Sequence, residues 1–310
     1  MTKNLAVKNR ATDSGEFSFK VLPTDALPFH RPNTYDRFWG NLGQIETQFD
    51  ISNATVWSKM MFDGRAAYNP RLLDDFHKMH RNIRHLKKEM PDQFKFLVLQ
   101  SSHPDFFCLG GDLGHFSKCI EDHDRDSLFD YGLSSIQVLH KTWKITFQNV
   151  ISIAHVAGDA LGGGFESILS FDIICAEKGV KFGFPEHLFG LFPGMGAITL
   201  LGRKIGFAKA EQLVRTGKTL DAEELYEMGV VQILSEPGEG RRDIQKFIKR
   251  NINRHQAAVS LHLALKRADR VSFDELEDIV TLWTDAAMQI TPKELKTMQR
   301  LVAAQTNKVS

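Results

Sequence analysis

Cysteine is scarce in this chain. Cys108, Cys119 and Cys175 are the only three among 310 residues. Three thiols cannot build a disulfide framework, and the sequence gives none of them a local histidine partner. Buried, unreactive thiols in a reducing, cytoplasmic setting are expected. Net charge is lacking as well: 39 basic side chains against 38 acidic ones leave +1. That balance removes the electrostatic footprint of a dedicated nucleic-acid binder. No apolar run approaches the ~18 residues of a membrane span. The opening MTKNLAVKNRATDSGEFSFK has no continuous apolar segment of the kind a secretory signal needs. HExxH and Gly-x-Ser-x-Gly are absent, so a zinc protease helix and a hydrolase elbow are unsupported. His77 and His80 lie three apart on a helical stretch, a spacing that suits a wet helix face better than a zinc site. No metal or other cofactor is called for.

What is present reads as alternating strands and helices. ETQFDISNATVWSKMMF has β-formers on both sides of Ser52-Asn53 and predicts two strands with a short turn. NPRLLDDFHKMHRNIRHLKKEM predicts a helix, because Leu72, Phe76, Met79, Ile83 and Leu86 recur at steps of three and four. FKFLVLQSS, VISIAHV and FDIICAE are short apolar runs suited to buried strands. GDALGGGFESILS predicts a glycine turn entering a short helix. Further on, GFAKAEQLVRTG, DAEELYEMG, a long stretch over residues 241–270, FDELEDIVTLWTDAAMQ and KELKTMQRLVAAQ all predict helices. The expected fold class is α/β with crossovers. The expected layout is a polar arm over 1–28, a core over 29–220 and a helical region over 221–310.

The glycines are the first chemical clue. Gly158, Gly162, Gly163 and Gly164 follow a strand and precede a helix. They match neither a phosphate-binding loop nor a dinucleotide fingerprint. Their exposed N–H groups suit an oxyanion; taken alone, a tight turn beneath a packed helix is the plainer account of them. Glu166 follows among apolar neighbours, where a carboxylate risks costly burial. A solvent-facing acid in the first helical turn is the plainer alternative. Glu186 sits in KFGFPEHLFGLFPGMG behind Pro185, among several phenylalanines and leucines. A chain running out and back would bring Glu166 and Glu186 face to face. Two carboxyls in one apolar pocket can hold different protonation states, the requirement for adding or removing water at a C=C bond. Gly110-Gly111 follows the buried strand at 94–101. One N–H from this segment and one from the triple glycine would form a two-donor hole for a thioester enolate, in which one donor is typically worth ~3 kcal/mol.

On these residues the chain resembles the crotonase (enoyl-CoA hydratase/isomerase) superfamily. The carrying segments are GGD at 110–112, GDALGGGFE at 158–166, FPE at 184–186 and RTGKTLDAEELYEMGVV from Arg215. The resemblance implies a ββα superhelical core, Glu166 and Glu186 as the catalytic acids, and the amides of Gly111 and Gly163 as oxyanion donors. It also implies a homotrimer or hexamer. LGGDL, FPEHLFGLFPGMGA and WTDAAMQITPKELKTMQRLVAAQ are further similar to the bacterial diffusible signal factor synthases. That likeness implies dehydration of a 3-hydroxyacyl chain, on acyl carrier protein or CoA, followed by thioester hydrolysis to a cis-2-unsaturated acid. Docking on a sensor kinase is implied by the same likeness alone. In the mechanism it suggests, Glu186 removes the C2 proton and Glu166 protonates the leaving C3 hydroxyl.

Several readings stay open at this stage. Trp283 and Met288 are candidates for the wall of an acyl tunnel, or simply part of a packed helix face. The basic stretches KMHRNIRHLKK and RRDIQKFIKRNINR suit either a carrier's acidic surface or bulk water. A plain enoyl-CoA hydratase and a non-catalytic partner-binding member of the fold are the rival functions.

Overall fold

The computed structural model describes residues 42–307; the arm expected over 1–28 lies outside them. In chain order the strands are β1 (Ile45–Asp50), β2 (Thr55–Met60), β3 (Phe96–Ser101), β4 (Phe106–Cys108), β5 (Ile151–Val156), β6 (Asp159–Leu161), β7 (Ile173–Glu177), β8 (Lys181–Gly183), β9 (Leu220–Asp221) and β10 (Ile233–Ser235). The helices that precede the second half of the core are α1 (Pro70–Glu89), α2 (Leu113–Glu121), α3 (Arg125–Trp143) and α4 (Gly163–Ile168). Then come α5 (Ala197–Ile205), α6 (Phe207–Thr216), α7 (Ala222–Glu227), α8 (Gly240–Asn251), α9 (His255–Ala268), α10 (Phe273–Ala287) and α11 (Pro292–Asn307). No described helix is long and apolar enough to cross a membrane.

Two sheets organise the molecule. Six strands form one sheet in the order β1-β2-β3-β5-β7-β10, and four form a smaller one in the order β4-β6-β8-β9. From β2 to β10 the large sheet is parallel, and only β1 runs antiparallel, paired with β2. Every residue of β5 and β7 is buried, as expected of parallel strands covered on both faces. The fold is mixed α/β, as the sequence predicts. Strands β3, β5 and β7 each run directly into a short strand of the small sheet, and a helix follows each pair. Thus β4, β6 and β8 lie side by side and parallel. The loops leaving their carboxyl ends carry Gly110-Gly111, Gly162-Gly163 and Glu186. In open α/β sheets this end is where ligands bind.

Local chemistry explains the elements. The Asn69 side chain caps α1 by accepting from Leu72 N, and Pro70 fills the first helical position. Leu72, Phe76, Met79, Ile83 and Leu86 are all buried; burying each side chain stabilises by roughly 1.5–3 kcal/mol. Asp221 and Glu224 form a reciprocal capping box on α7. The stretch 241–270 is not one helix. It divides into α8 and α9 at a 3₁₀ turn over Ile252–Arg254. The break is tied to the sheet: Lys95 Nζ donates to Ile252 O, and the His255 ring nitrogen bonds Lys95 O. Strand β10, past residue 220, supplies the last strand of the large sheet.

Candidate active site

The loops after β4, β6 and β8 converge on a cavity of about 130 Å³. Gly111, Gly163, Glu166, Glu186, Trp283 and Leu301 are among its lining residues. Five of the six site residues predicted from the sequence therefore meet at one place. Met288 does not line the cavity; it caps α10 and packs, half-buried, against the core. The reason is helical geometry. Five residues past Trp283 is about 140° around the helix, so one wall cannot hold both side chains.

Two peptide groups aim their amides at the cavity. The carbonyl of Gly110 accepts from Tyr68 N at 2.8 Å. In a trans peptide the following N–H points the opposite way, so the amide of Gly111 is directed away from Tyr68. The carbonyl of Gly162 accepts from Glu166 N at 3.0 Å, which turns the Gly163 amide out of the first turn of α4. The two donors lie close together. A methyl placed on Gly163 would sit 3.4 Å from Gly111 N. Side chains are barred at neighbouring positions too. A Cβ on Gly164 would come within 2.2 Å of Cys108 O, and Gly162, at φ +50°, would put one 2.5 Å from Glu186 Oε1.

The two carboxyls live in different surroundings. Glu166 is 2% exposed. Its Oε1 accepts from Met195 N at 2.8 Å and Ala197 N at 3.0 Å. Burial raises its pKa to about 7, and the two backbone donors oppose that rise. Glu186 enters on a 3₁₀ turn, Pro185–Phe189, whose first position the proline fills. Its Oε2 is sealed from solvent and has no hydrogen-bond partner among the described residues. Burial first, and then the charge of Glu166, push Glu186 up to about 8. A carboxylate with two N–H donors is stabilised as the anion, whereas one with a bare buried oxygen is not. This asymmetry favours the anion at Glu166 and the proton at Glu186.

Two aromatic rings cover these groups. A Cβ on Gly111 would strike the Phe116 ring at 2.4 Å, and one on Gly194 would strike Trp283 at 2.4 Å. Phe116 and Trp283 meet edge to face, 5.1 Å between centroids. Trp283 thus packs on the loop that presents Met195 N and Ala197 N to Glu166. A second cavity, about 40 Å³, lies on the other side of Gly163 and Glu166. Leu73, Phe76, Leu99, Val138, Leu139 and Phe171 make it apolar. It opens between α1 and α3, not along α10 where a tunnel wall is expected from the sequence.

These features agree with the comparisons to known proteins. The family model described as Enoyl-CoA hydratase/isomerase matches residues 65–269. The chain belongs to this family. It is 36% identical over 145 residues to the fatty acid oxidation complex subunit alpha of Vibrio cholerae, covering 46% of this chain and 20% of that protein. It is 35% identical over 159 residues to the probable enoyl-CoA hydratase echA8 of Mycobacterium leprae, covering 50% and 57%. The chain thus spans less than two thirds of either relative's length. The crystal structure of enoyl-CoA hydratase from Bacillus halodurans superposes with a TM-score of 0.68 at 22% identity, over 83% of this chain and 100% of that one. Helices α10 and α11, which give Trp283 and Leu301 to the cavity of this hydratase/isomerase-family protein, lie past the matched segment.

The remaining sequence candidates fall outside the site. His77 bonds Ser134 Oγ and Lys141 Nζ, and His80 bonds Thr142 Oγ1. Cys119 does have a local partner, contrary to expectation: its Sγ lies 3.6 Å from His115 Nε2. The two are four residues apart on α2, a short helix that brings them onto one face.

Proposed function

We propose that this protein interconverts 2-enoyl and 3-hydroxyacyl thioesters. The observation that carries the reading is a pair of carboxyls, Glu166 and Glu186, lining one cavity with two converging amides. In the hydration direction, the thioester carbonyl lies between the N–H groups of Gly111 and Gly163. Glu166, ionised, takes a proton from water as its oxygen bonds to C3. The C=C electrons move into the enolate, whose charge the two amides stabilise. Glu186 then gives its proton to C2. Dehydration is the same path reversed, starting with the proton on Glu166. CoA is the thioester carrier that the family relationship supports. The small apolar cavity behind Glu166 would take the first carbons of the acyl chain. Loss of the conjugated enoyl absorbance on mixing with a 2-enoyl-CoA tests this reading. Unchanged absorbance, with Glu166→Gln and Glu186→Gln as controls, would refute it.

A second reading adds hydrolysis, as the likeness to the signal factor synthases implies. One observation favours it. LFPGMGA, among the segments that carry that likeness, supplies the two donors on Glu166. Dehydration leaves Glu166 ionised and Glu186 protonated, the arrangement those donors stabilise, with the expelled water beside Glu166. That carboxylate would then activate water toward the thioester carbonyl, held in the same hole. On this reading the substrate arrives on acyl carrier protein, and the product is a free cis-2-unsaturated acid. Mass spectrometry of products from 3-hydroxyacyl-carrier and 3-hydroxyacyl-CoA separates the two. Free unsaturated acid supports the second reading, and intact thioester only supports the first.

A further inference from the structure

The amide of Gly111 is useful only if its peptide cannot rotate. Gly110 has φ +103°, and glycines on both sides of a peptide supply little stiffness of their own. The restraint comes from elsewhere. Tyr68 and Gly111 form a single isolated parallel bridge, of which Tyr68 N to Gly110 O is one bond. At its other end stands the side chain of Tyr131, from α3. The Tyr131 hydroxyl donates to Tyr68 O and accepts from Asp112 N at 3.3 Å. It therefore joins the two edges of the bridge one residue past the Gly111 amide. The ring is 5% exposed and stands edge-on to Phe116, 5.0 Å between centroids. The same Phe116 ring blocks any side chain at Gly111. Asp112 is fixed from outside by Arg65, whose Nη2 lies 2.7 Å from Oδ1, and its carboxylate caps α2. The Asp112 amide, which completes the bridge toward Tyr68 O, donates to the same Tyr131 hydroxyl that donates to that carbonyl.

We propose that Tyr131 is a positioning residue for the oxyanion hole, its hydroxyl locking the Gly111 peptide in the orientation that aims its N–H at a bound thioester carbonyl. The proposal rests on the hydration reading above. Tyr131 touches no reacting atom. Its removal loosens one donor rather than deleting it, and the loss falls on the state in which the carbonyl oxygen carries charge.

The test is Tyr131→Phe, which removes one oxygen and keeps the ring. The expected result is a fall in kcat of about 10- to 100-fold with KM changed less than about threefold. A spectroscopic readout separates positioning from general damage. A bound 2,4-dienoyl-CoA shifts its absorbance to the red when its carbonyl is polarised by the hole. That shift should shrink in Tyr131→Phe. It should persist in Ile136→Ala, which weakens the same helix at a fully buried position five residues on, about 140° around the helix from Tyr131. A full red shift and unchanged kcat in Tyr131→Phe overturn the proposal. If the wild-type protein gives neither shift nor turnover, the hydration reading itself has failed. A third measurement needs no variant: the Asp112 amide in the wild-type protein should exchange slowly with deuterium. Exchange at the rate of an open loop would also overturn the proposal.

Discussion

Hydration needs one proton on the carboxyl pair, neither two nor none, so the rate should follow a bell in pH. Below about 7 Glu166 is protonated and cannot accept from water. Above about 8 Glu186 is ionised and has nothing to give C2. Both constants lie well above the ordinary carboxylate range because burial raises each, and the charge of Glu166 adds to the rise at Glu186. With these constants, about 60% of molecules hold one proton near pH 7.5, and about 3% do near pH 5.5 or 9.5. The expected profile of kcat/KM for a 2-enoyl thioester is therefore a narrow bell, falling about 20-fold at each of those limits. The two limbs belong to the pair rather than to either residue. The assay is initial rate against pH at substrate well below KM, with thermal unfolding checked at each pH. A profile flat from about 5.5 to 9.5 would refute the reasoning. So would a single rise near 4.5, which would mean that an ordinary, solvated carboxylate does the work.

Other expectations follow from the same geometry. Glu166→Gln and Glu186→Gln should each lower kcat by about 10²- to 10⁴-fold, the usual worth of a positioned acid or base; steady-state kinetics on folded variants checks this. Glu186→Gln should also raise the melting temperature, by about 2 °C or more at pH 9 and little at pH 5. The sign follows from linkage: burial raises the folded pKa of Glu186 above its unfolded value, so the folded protein is penalised as pH rises through 8. Equal melting shifts at both pH values would contradict the buried placement. Gly162→Ala should destabilise by about 1–3 kcal/mol and abolish turnover, because φ is +50° and the new methyl meets Glu186 Oε1; denaturant unfolding and rate together test it. Trp283→Ala should cost about 3–5 kcal/mol and lower kcat, because the ring packs on the loop that clamps Glu166.

The carboxyl pair was legible because its signals are local. Three glycines before an acid, and a proline before an acid among phenylalanines, are visible in a few residues each. Strands β3, β5 and β7 were legible as apolar runs for the same reason. The small sheet was not, since β4, β6 and β8 are only three residues long and carry no period. The donors to Glu166 escaped because Met195 and Ala197 act through backbone N–H groups, which have no side-chain signature. The alternating glycines at 194 and 196 were the available hint of a close approach. Tyr131 was invisible for a different reason: its hydroxyl reaches a carbonyl 63 positions away, a contact that only the folded chain defines. Trp283 and Met288 share one apolar stretch of sequence, but residues at that spacing on a helix face different ways.

Incorporation of water oxygen at C3 tests the central claim most directly. A 2-enoyl-CoA incubated with the protein in ¹⁸O-labelled water should yield 3-hydroxyacyl-CoA with one labelled oxygen on C3, and Glu166→Gln should nearly abolish that label. A wild-type protein that forms no C3-labelled 3-hydroxyacyl-CoA, or formation of that labelled product that survives in Glu166→Gln, would contradict it.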